Sequence, residues 1–482
     1  HTGFSVSALN RAVWLFTWKG NAKFMEERNF METKPLVPLL MSMAMPMMLS
    51  MLVQSLYNII DSIYVSRLGT EALTAVSLAF PLQNIVLAVA VGVGVGISAL
   101  LARSLGQKDQ EQANAAASWG VLLSVIHCIL FVGVGILVTK PFLSLFTENA
   151  SILRQACDYT YIVMCLSFGC LMQIAMEKIY QGLGAMKTTM ILLGTGCIIN
   201  IILDPILIFG YLGFPAMGVS GAAIATVTGQ IAAFFLYVIV YCVKNPGVTI
   251  HWRYLKGYAH VIRPIYAVGI PSTLMMMLPS VLVGVLNGIL TAFSEVYVAV
   301  LGVYFKLQTF IYLPVSGIVQ GMRPLVSYNY GAGKFGRVRG FIRYSLFASG
   351  LIMLLGTLVS LAIPGALLRL FDADEALLQA GVPALRIISL GFLVSTVGVV
   401  FSGVFEALGQ GTLSLCISLL RQLVITLILG FLLSRIWQAT GVWVAFPIAE
   451  FAAAIAACVF LKRFHGGVFF PFGAGNADDE VR

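Results

Sequence analysis

Asp61 lies in QSLYNIIDSIYVSRLG (54–69), directly after the uncharged run LLMSMAMPMMLSMLV (39–53). An Asp at the middle of a membrane helix costs about 2.5–3.5 kcal/mol on insertion scales, so a buried carboxylate there asks for a role. Gln54, Asn58 and Asp61 follow i, i+4, i+7 spacing, and Tyr57 stands four residues before Asp61. All four are therefore expected on one helix face, turned toward a bundle interior. GCIINIILDPILIFG (196–210) repeats the anomaly, with Asn200 and Asp204 at i and i+4. Pro205 has no N–H for the Ile201 carbonyl, which leaves a spare acceptor beside Asp204. Two carboxylates, a carboxamide and a freed carbonyl form an all-oxygen set that suits a hard cation or a shared proton. Two such carboxylates in a low-dielectric site cannot both stay ionised cheaply, so one is expected to hold a proton. The plainer alternative is interhelical hydrogen bonding, worth about 0.6 kcal/mol per bond.

Positioning these groups needs membrane-spanning helices. Hydrophobic residues make up 59% of the 482 and charged residues only 10%, against roughly 25% charged in soluble domains. Such a chain belongs in a bilayer. Twelve spans are expected, at about 37–64, 72–99, 116–139, 156–177, 188–210, 218–243, 262–290, 296–322, 341–363, 382–405, 412–435 and 440–461. Pro46 and Pro271 should kink the first and seventh. The net charge of +9 is a topology signal, with no nucleic-acid partner implied. Loops after even-numbered spans, with the C-terminal tail, hold Arg103, Lys108, Lys178, Lys187, Lys244, Arg253, Lys256, Arg263, Lys334, Arg337, Arg339, Arg343, Lys462 and Arg463. Loops after odd-numbered spans hold Arg67, Lys140, Arg154, Arg369 and Arg435. Both termini are therefore expected in the cytoplasm, with the acidic DADE (372–375) outside. Residues 1–30 read as a leader foreign to the bundle or disordered, and 466–482 as a tail.

Shifting the sequence against itself by 225 residues aligns six landmarks without a gap. Pro46 meets Pro271, FPLQ (80–83) meets FKLQ (305–308), Gly92 and Gly96 meet Gly317 and Gly321, and Gly106 meets Gly331. LF at 145–146 meets LF at 370–371, and LG at 183–184 meets LG at 408–409. Six helices per copy, an even number, keep both copies in one orientation. The expected fold is all-α and polytopic, with two pseudo-symmetric six-helix bundles (31–245 and 246–465) and a central cleft.

Other chemistries find little support. The eight Cys are scattered, without a CxxC or a Cys/His cluster, and AMKTTM and GAGKFG (331–336) both miss P-loop spacing. No cofactor is expected. A membrane enzyme would need an intramembrane His, Ser or metal cluster. His127 stands alone, HExxH is absent, and a packed neutral ring is the expected state.

PMMLSMLVQSLYNIIDSIYVSRLGTEALTAVSLAFPLQ, ARSLGQKDQEQA, NIILDPILIFG and GVSGAAIATVTGQ resemble bacterial multidrug and toxic compound extrusion (MATE) transporters, over about 31–461 and most specifically in the first half. The resemblance implies export of amphipathic, often cationic compounds across the cytoplasmic membrane in exchange for inward H+ or Na+. It implies a cation site formed by Asp61, Asn200 and Asp204, joined by Tyr57 and Thr226. If Na+ is the ion, the first three would be its ligands. Gln54, Asn58, Pro46, Glu177, Met43 and Met47 are further cavity candidates. Met41, Met43, Met45, Met47, Met48 and Met51, with Met275, Met276 and Met277, would suit a promiscuous surface. Expected partners are small amphipathic molecules and lipids, and the expected state is a monomer.

The second bundle lacks the acids. Leu286, with Asn287 beside it, stands opposite Asp61, and Leu429 opposite Asp204. Coupling is therefore expected in the first bundle only. Lys306 in the eighth span argues against a cation site in the second. Glu177 is expected to pair with Lys178 or Lys187, and Glu406, Arg421 and Glu450 to form a structural charge network. The rival function is a flippase for lipid-linked saccharide precursors. It would need several basic groups deep in the cavity, and only Lys306 and Arg421 read as deep.

Overall fold

The computed structural model describes residues 30–244, 246–371 and 373–464. The expectations for residues 1–29, Asp372 and 466–482 lie outside the described residues. Phe30 already belongs to the bundle, since it opens a short helix, Phe30–Thr33, whose Met31 is buried.

The front lobe comprises α1 (Leu36–Ser66), α2 (Thr70–Gly106), α3 (Gln110–Leu143), α4 (Ala150–Cys165), α5 (Phe168–Gly182), α6 (Met186–Phe209) and α7 (Val219–Lys244). A connecting segment over 246–261 packs on α3, where Gln110 donates to the Gly247 carbonyl at 2.8 Å and Asn114 accepts from the Thr249 N–H at 2.8 Å. The back lobe comprises α8 (Ile262–Thr291), α9 (Glu295–Gly331), α10 (Phe335–Ala362), α11 (Glu375–Ser389), α12 (Phe392–Ala407), α13 (Gly411–Leu419), α14 (Ile425–Trp437) and α15 (Ala439–Arg463). A π-helical turn, Leu420–Val424, joins α13 to α14.

Ten helices among the described residues are long and apolar enough to span a bilayer, counting α13–α14 as one. Two bent pairs, α4–α5 (43°) and α11–α12 (52°), complete twelve. The chain is a multi-span membrane protein with the two-lobe, twelve-helix fold. The prolines at 46 and 271 do not interrupt α1 or α8. The breaks fall instead at 166–167 and 390–391, at segments without proline. They are repeat partners to within a residue, and so are the caps of the helices before them. Asn149 accepts from the Ser151 N–H at 2.9 Å and Asp374 from the Leu377 N–H at 2.8 Å, satisfying amides the first turn leaves without carbonyls.

The repeat also explains the interface between the lobes. Gly106 of α2 lies against the Tyr328 carbonyl, and Gly331 of α9 against the Arg103 carbonyl. Each partner is the other's repeat position. The same exchange brings Gly92 onto Thr273 and Gly317 onto Met48. A β-carbon at any of the four would overlap its neighbour, so glycine is required for helices this close. The contacts draw the lobes together at the end carrying the basic loops, where Arg103 also lies over the Tyr330 ring at 4.8 Å. Toward the other end packing loosens, and α1 and α8 expose Leu52, Leu56, Val281 and Val285.

Candidate functional site

Within the front lobe lies a cavity of about 240 Å³, walled by α1, α2, α5, α6 and α7 and reached by Met276 and Gln320 of the back lobe. Small residues let the surrounding helices approach. A β-carbon on Gly229 would sit 3.1 Å from the Asn200 side chain, and one on Gly196 2.8 Å from the Ala233 methyl.

Asn200, Thr226 and Tyr57 line this cavity, and Asp204 is fully buried behind them. The hydrogen-bond network assigns the Asn200 amide. Its Nδ2 donates to Asp204 Oδ2 at 3.2 Å, and its Oδ1 accepts from the Thr226 N–H at 3.0 Å. The opposite orientation offers only a 3.3 Å bond to Thr226 Oγ1. Asp61 comes from α1, within electrostatic reach of Asp204, and both carboxylates act on Tyr57 and Tyr159. One oxygen of each acid, Asp61 Oδ1 and Asp204 Oδ1, is buried without a hydrogen-bond partner. Leaving such an oxygen unsatisfied costs about 1–3 kcal/mol, more if charged, and a bound proton or cation relieves that cost.

Gln54 and Met47 line the cavity, as does Glu177. Met43 and Pro46 do not. Both are buried in packing, and Met43 lies against the turn at Gly184. Asn58 is also misplaced by the spacing rule, because it is exposed on α1 and absent from the cavity wall. An i+4 step from Gln54 returns to the same face only within about 40°, and at Asn58 that margin falls outside the site.

Lys178 is not a loop residue. It is 5% exposed inside α5, where Nζ donates to Gln181 Oε1 at 2.8 Å and lies 3.4 Å from Glu177 Oε1. Gln181 Nε2 donates to Glu177 Oε1 at 2.8 Å. The expected charge network of the back lobe separates into two pairs. Arg323 binds Glu406 at 2.5 Å, with Ser272 donating to the other carboxylate oxygen at 2.7 Å, while Arg421 meets Glu450 at 3.9 Å. Arg323 is the deep basic group the sequence reading overlooked, and Lys306 is exposed, its Nζ 5.9 Å from the Phe371 ring centroid. His127 bonds Tyr266 across 3.1 Å.

Several residues in or near the cavity had a legible signal. Gln173, Glu177 and Gln181 follow i, i+4, i+8 on α5, and Gln230 stands four residues after Thr226. Gln83, which accepts from the Tyr159 hydroxyl at 3.2 Å, closes the FPLQ landmark. Tyr159 itself carries no such pattern.

A family model described as MatE matches residues 46–206 and 271–432, two segments that begin at the two repeat prolines. The chain is 25% identical over 441 residues to the "Multidrug export protein MepA" of Staphylococcus aureus (strain bovine RF122 / ET3-1), covering 91% of this chain and 96% of that protein. It is similar to a solved structure described as the outward-facing conformation of a multidrug resistance MATE family transporter of the MOP superfamily (TM-score 0.83, 25% identity, 89% of this chain and 96% of that one). It is also similar to a MOP superfamily transporter from Pyrococcus furiosus Vc1 (DSM3638), described as having a binding pocket of reverse polarity (TM-score 0.85, 25% identity, 92% and 98%).

Proposed function

We propose, from the premise that this chain belongs to the MatE family, that it exports amphipathic, chiefly cationic compounds across a bacterial cytoplasmic membrane in exchange for inward H+ or Na+. The observation carrying this reading is the cluster of half-buried Asp61 with buried Asp204 and Asn200, beside a cavity that reaches the cleft between the lobes. Multidrug export by MepA, which matches along nearly its whole length, supports it.

The mechanism follows from differential affinity, since a ligand shifts an equilibrium only as far as it prefers one state. A cation on the two acids satisfies their unpartnered oxygens and removes like-charge repulsion, which favours the packing of α1 against α6 that brings the acids together. Drug in the adjoining cavity competes for that arrangement through Asn200, Thr226 and Tyr57, which border both. Each ligand then favours expulsion of the other. The basic-loop end, closed by the glycine contacts, is read as cytoplasmic.

The flippase reading is weaker. A pyrophosphate needs several unopposed basic groups, whereas Lys178, Arg323 and Arg421 each face a carboxylate, Glu177, Glu406 and Glu450 respectively. In proteoliposomes, an imposed H+ or Na+ gradient is expected to drive accumulation of a cationic dye, and Asp61→Asn is expected to stop it. Gradient-independent dye movement, or full transport by the variant, overturns the proposal.

A further inference from the structure

The back lobe holds a second cavity, of about 350 Å³, between α8, α9, the π turn and α15. Met51 stands on its wall and on the wall of the front cavity, so both open toward one cleft. Its polar wall carries Arg421, Gln422 and Glu450, and its aromatic wall Phe305, Tyr312 and Phe446.

The repeat shows how this wall differs from its counterpart in the front lobe. Arg421 occupies the position of Gly196, where in the front lobe α6 and α7 come into close contact. In the back lobe the arginine side chain stands at that point instead, on the wall of the cavity. The backbone accommodates it in the π turn, whose Arg421 carbonyl accepts from Thr426 Oγ1 at 2.5 Å. Turns of this kind recur at functional sites.

The polar groups are incompletely matched. Arg421 Nε and Glu450 Oε1 are 3.9 Å apart, at the limit of an ion pair. Arg421 Nη1, Glu450 Oε2 and Gln422 Oε1 are buried without protein partners. That leaves one cationic donor and two acceptors, one of them anionic. A ligand with only a positive charge leaves Arg421 Nη1 unmet, and one with only a negative charge leaves Glu450 Oε2 unmet. The short separation requires the ligand's two charges to be neighbours as well.

We propose that this cavity is a second cargo subsite, taking amphipathic compounds with a compact zwitterionic head, a carboxylate and an ammonium on one carbon. Arg421 receives the carboxylate, Glu450 and Gln422 receive the ammonium, and Phe305, Tyr312 and Phe446 hold the apolar body. The inference deepens the exporter reading and rests on it for calling the ligand a cargo.

The test is equilibrium binding to the purified full chain in lipid nanodiscs, read by dansyl fluorescence. The probes are Nε-dansyl-lysine, its methyl ester (a cation) and its Nα-acetyl derivative (an anion). The zwitterion is expected to bind about tenfold tighter than either, the worth of one charge-assisted contact. Arg421→Gln should weaken the zwitterion to the level of the ester while leaving the ester equal or tighter. Glu450→Gln should do the converse with the acetyl probe, and Arg421→Lys should keep part of the preference. Equal affinities for the three probes on the unmutated protein, or parallel weakening of all three in both variants, overturn the proposal. The comparison on the unmutated protein decides alone if the variants do not fold. Gradient-driven export of a cationic dye is measured separately. If that fails while the zwitterion preference holds, the exporter reading falls and the subsite stands.

Discussion

In the front lobe Asp61 and Asp204 come within electrostatic reach of each other, with Asn200 bridging Asp204 to α7. At the matching positions the back lobe has Leu286, which is fully buried in its core, and Leu429. The charge on its cavity wall is carried instead by Arg421 and Glu450, at positions where the front lobe has Gly196 and Ala225. The lobes share bends, caps and glycine contacts, and their backbones part at the π turn that holds Arg421, where α6 continues as α-helix. Their side chains differ at the two cavities. Two like charges make a site that asks for a cation, and an opposite-charge pair makes one that is neutral overall. On the proposed reading, the duplicated scaffold divides its work, with energy coupling in the half that carries the two acids.

The largest effect that would break this division comes from the acids. Asp204→Asn should lower gradient-driven export at least about tenfold, the loss expected from one charge-assisted contact, with expression unchanged. Wild-type rates in that variant would remove the front lobe's special role. Next is the interface where the lobes are alike. Gly106→Val and Gly331→Val should each oppose closure of the basic-loop end by about 1–3 kcal/mol, and to similar extents. Cross-linking of cysteines placed across that end would report it, and a large inequality would break the pseudo-symmetry.

A smaller contrast sits at repeat partners Gln181 and Glu406. Arg323→Gln leaves the Glu406 carboxylate with Ser272 alone. Breaking a fully buried pair costs about 3–5 kcal/mol, and the 25% exposed Arg323 side chain brings the expectation nearer 2. Gln181→Leu removes the acceptor of the Lys178 ammonium and a donor to the Glu177 carboxylate, leaves the Lys178–Glu177 pair in place, and should cost about 1.5–3 kcal/mol. Thermal unfolding in detergent ranks the two. The smallest effect is that of Thr226→Val, which keeps the backbone N–H that meets Asn200 and removes only a hydroxyl. Export should fall no more than about fivefold, the worth of one neutral hydrogen bond.

Much of this was legible in the chain itself. Apolar length gave twelve spans, and one constant offset gave two bundles, because helix packing repeats whatever faces lipid or a neighbouring helix. The acids were legible because a lone carboxylate in an apolar run is costly without a partner. What escaped the reading has physical causes. Asn58 obeyed helical spacing, but one face of α1 borders both cavity and cleft, and spacing cannot divide them. Met43 and Pro46 lie in the same uncharged stretch of α1 as Met47, and only packing decides which side chain reaches the cavity. Lys178 looked like a loop cation because it ends an apolar run, yet α5 continues to Gly182 and buries it. The Arg323–Glu406 pair joins α9 to α12, a contact no local pattern encodes. The bends in the fourth and tenth spans fall at segments without proline, where the repeat alone would have marked one from the other.

The most direct measurement reverses the flow. A gradient of cationic dye is imposed on proteoliposomes at zero cation gradient, and the cation it moves is followed with an internal pH indicator and radioactive Na+. The account predicts that dye drives one of the two ions through the unmutated protein and through Lys306→Gln, an exposed charge in the back lobe. It predicts that neither ion moves through Asp61→Asn or Asp204→Asn. Dye-driven ion movement that persists in both front-lobe variants would contradict the account.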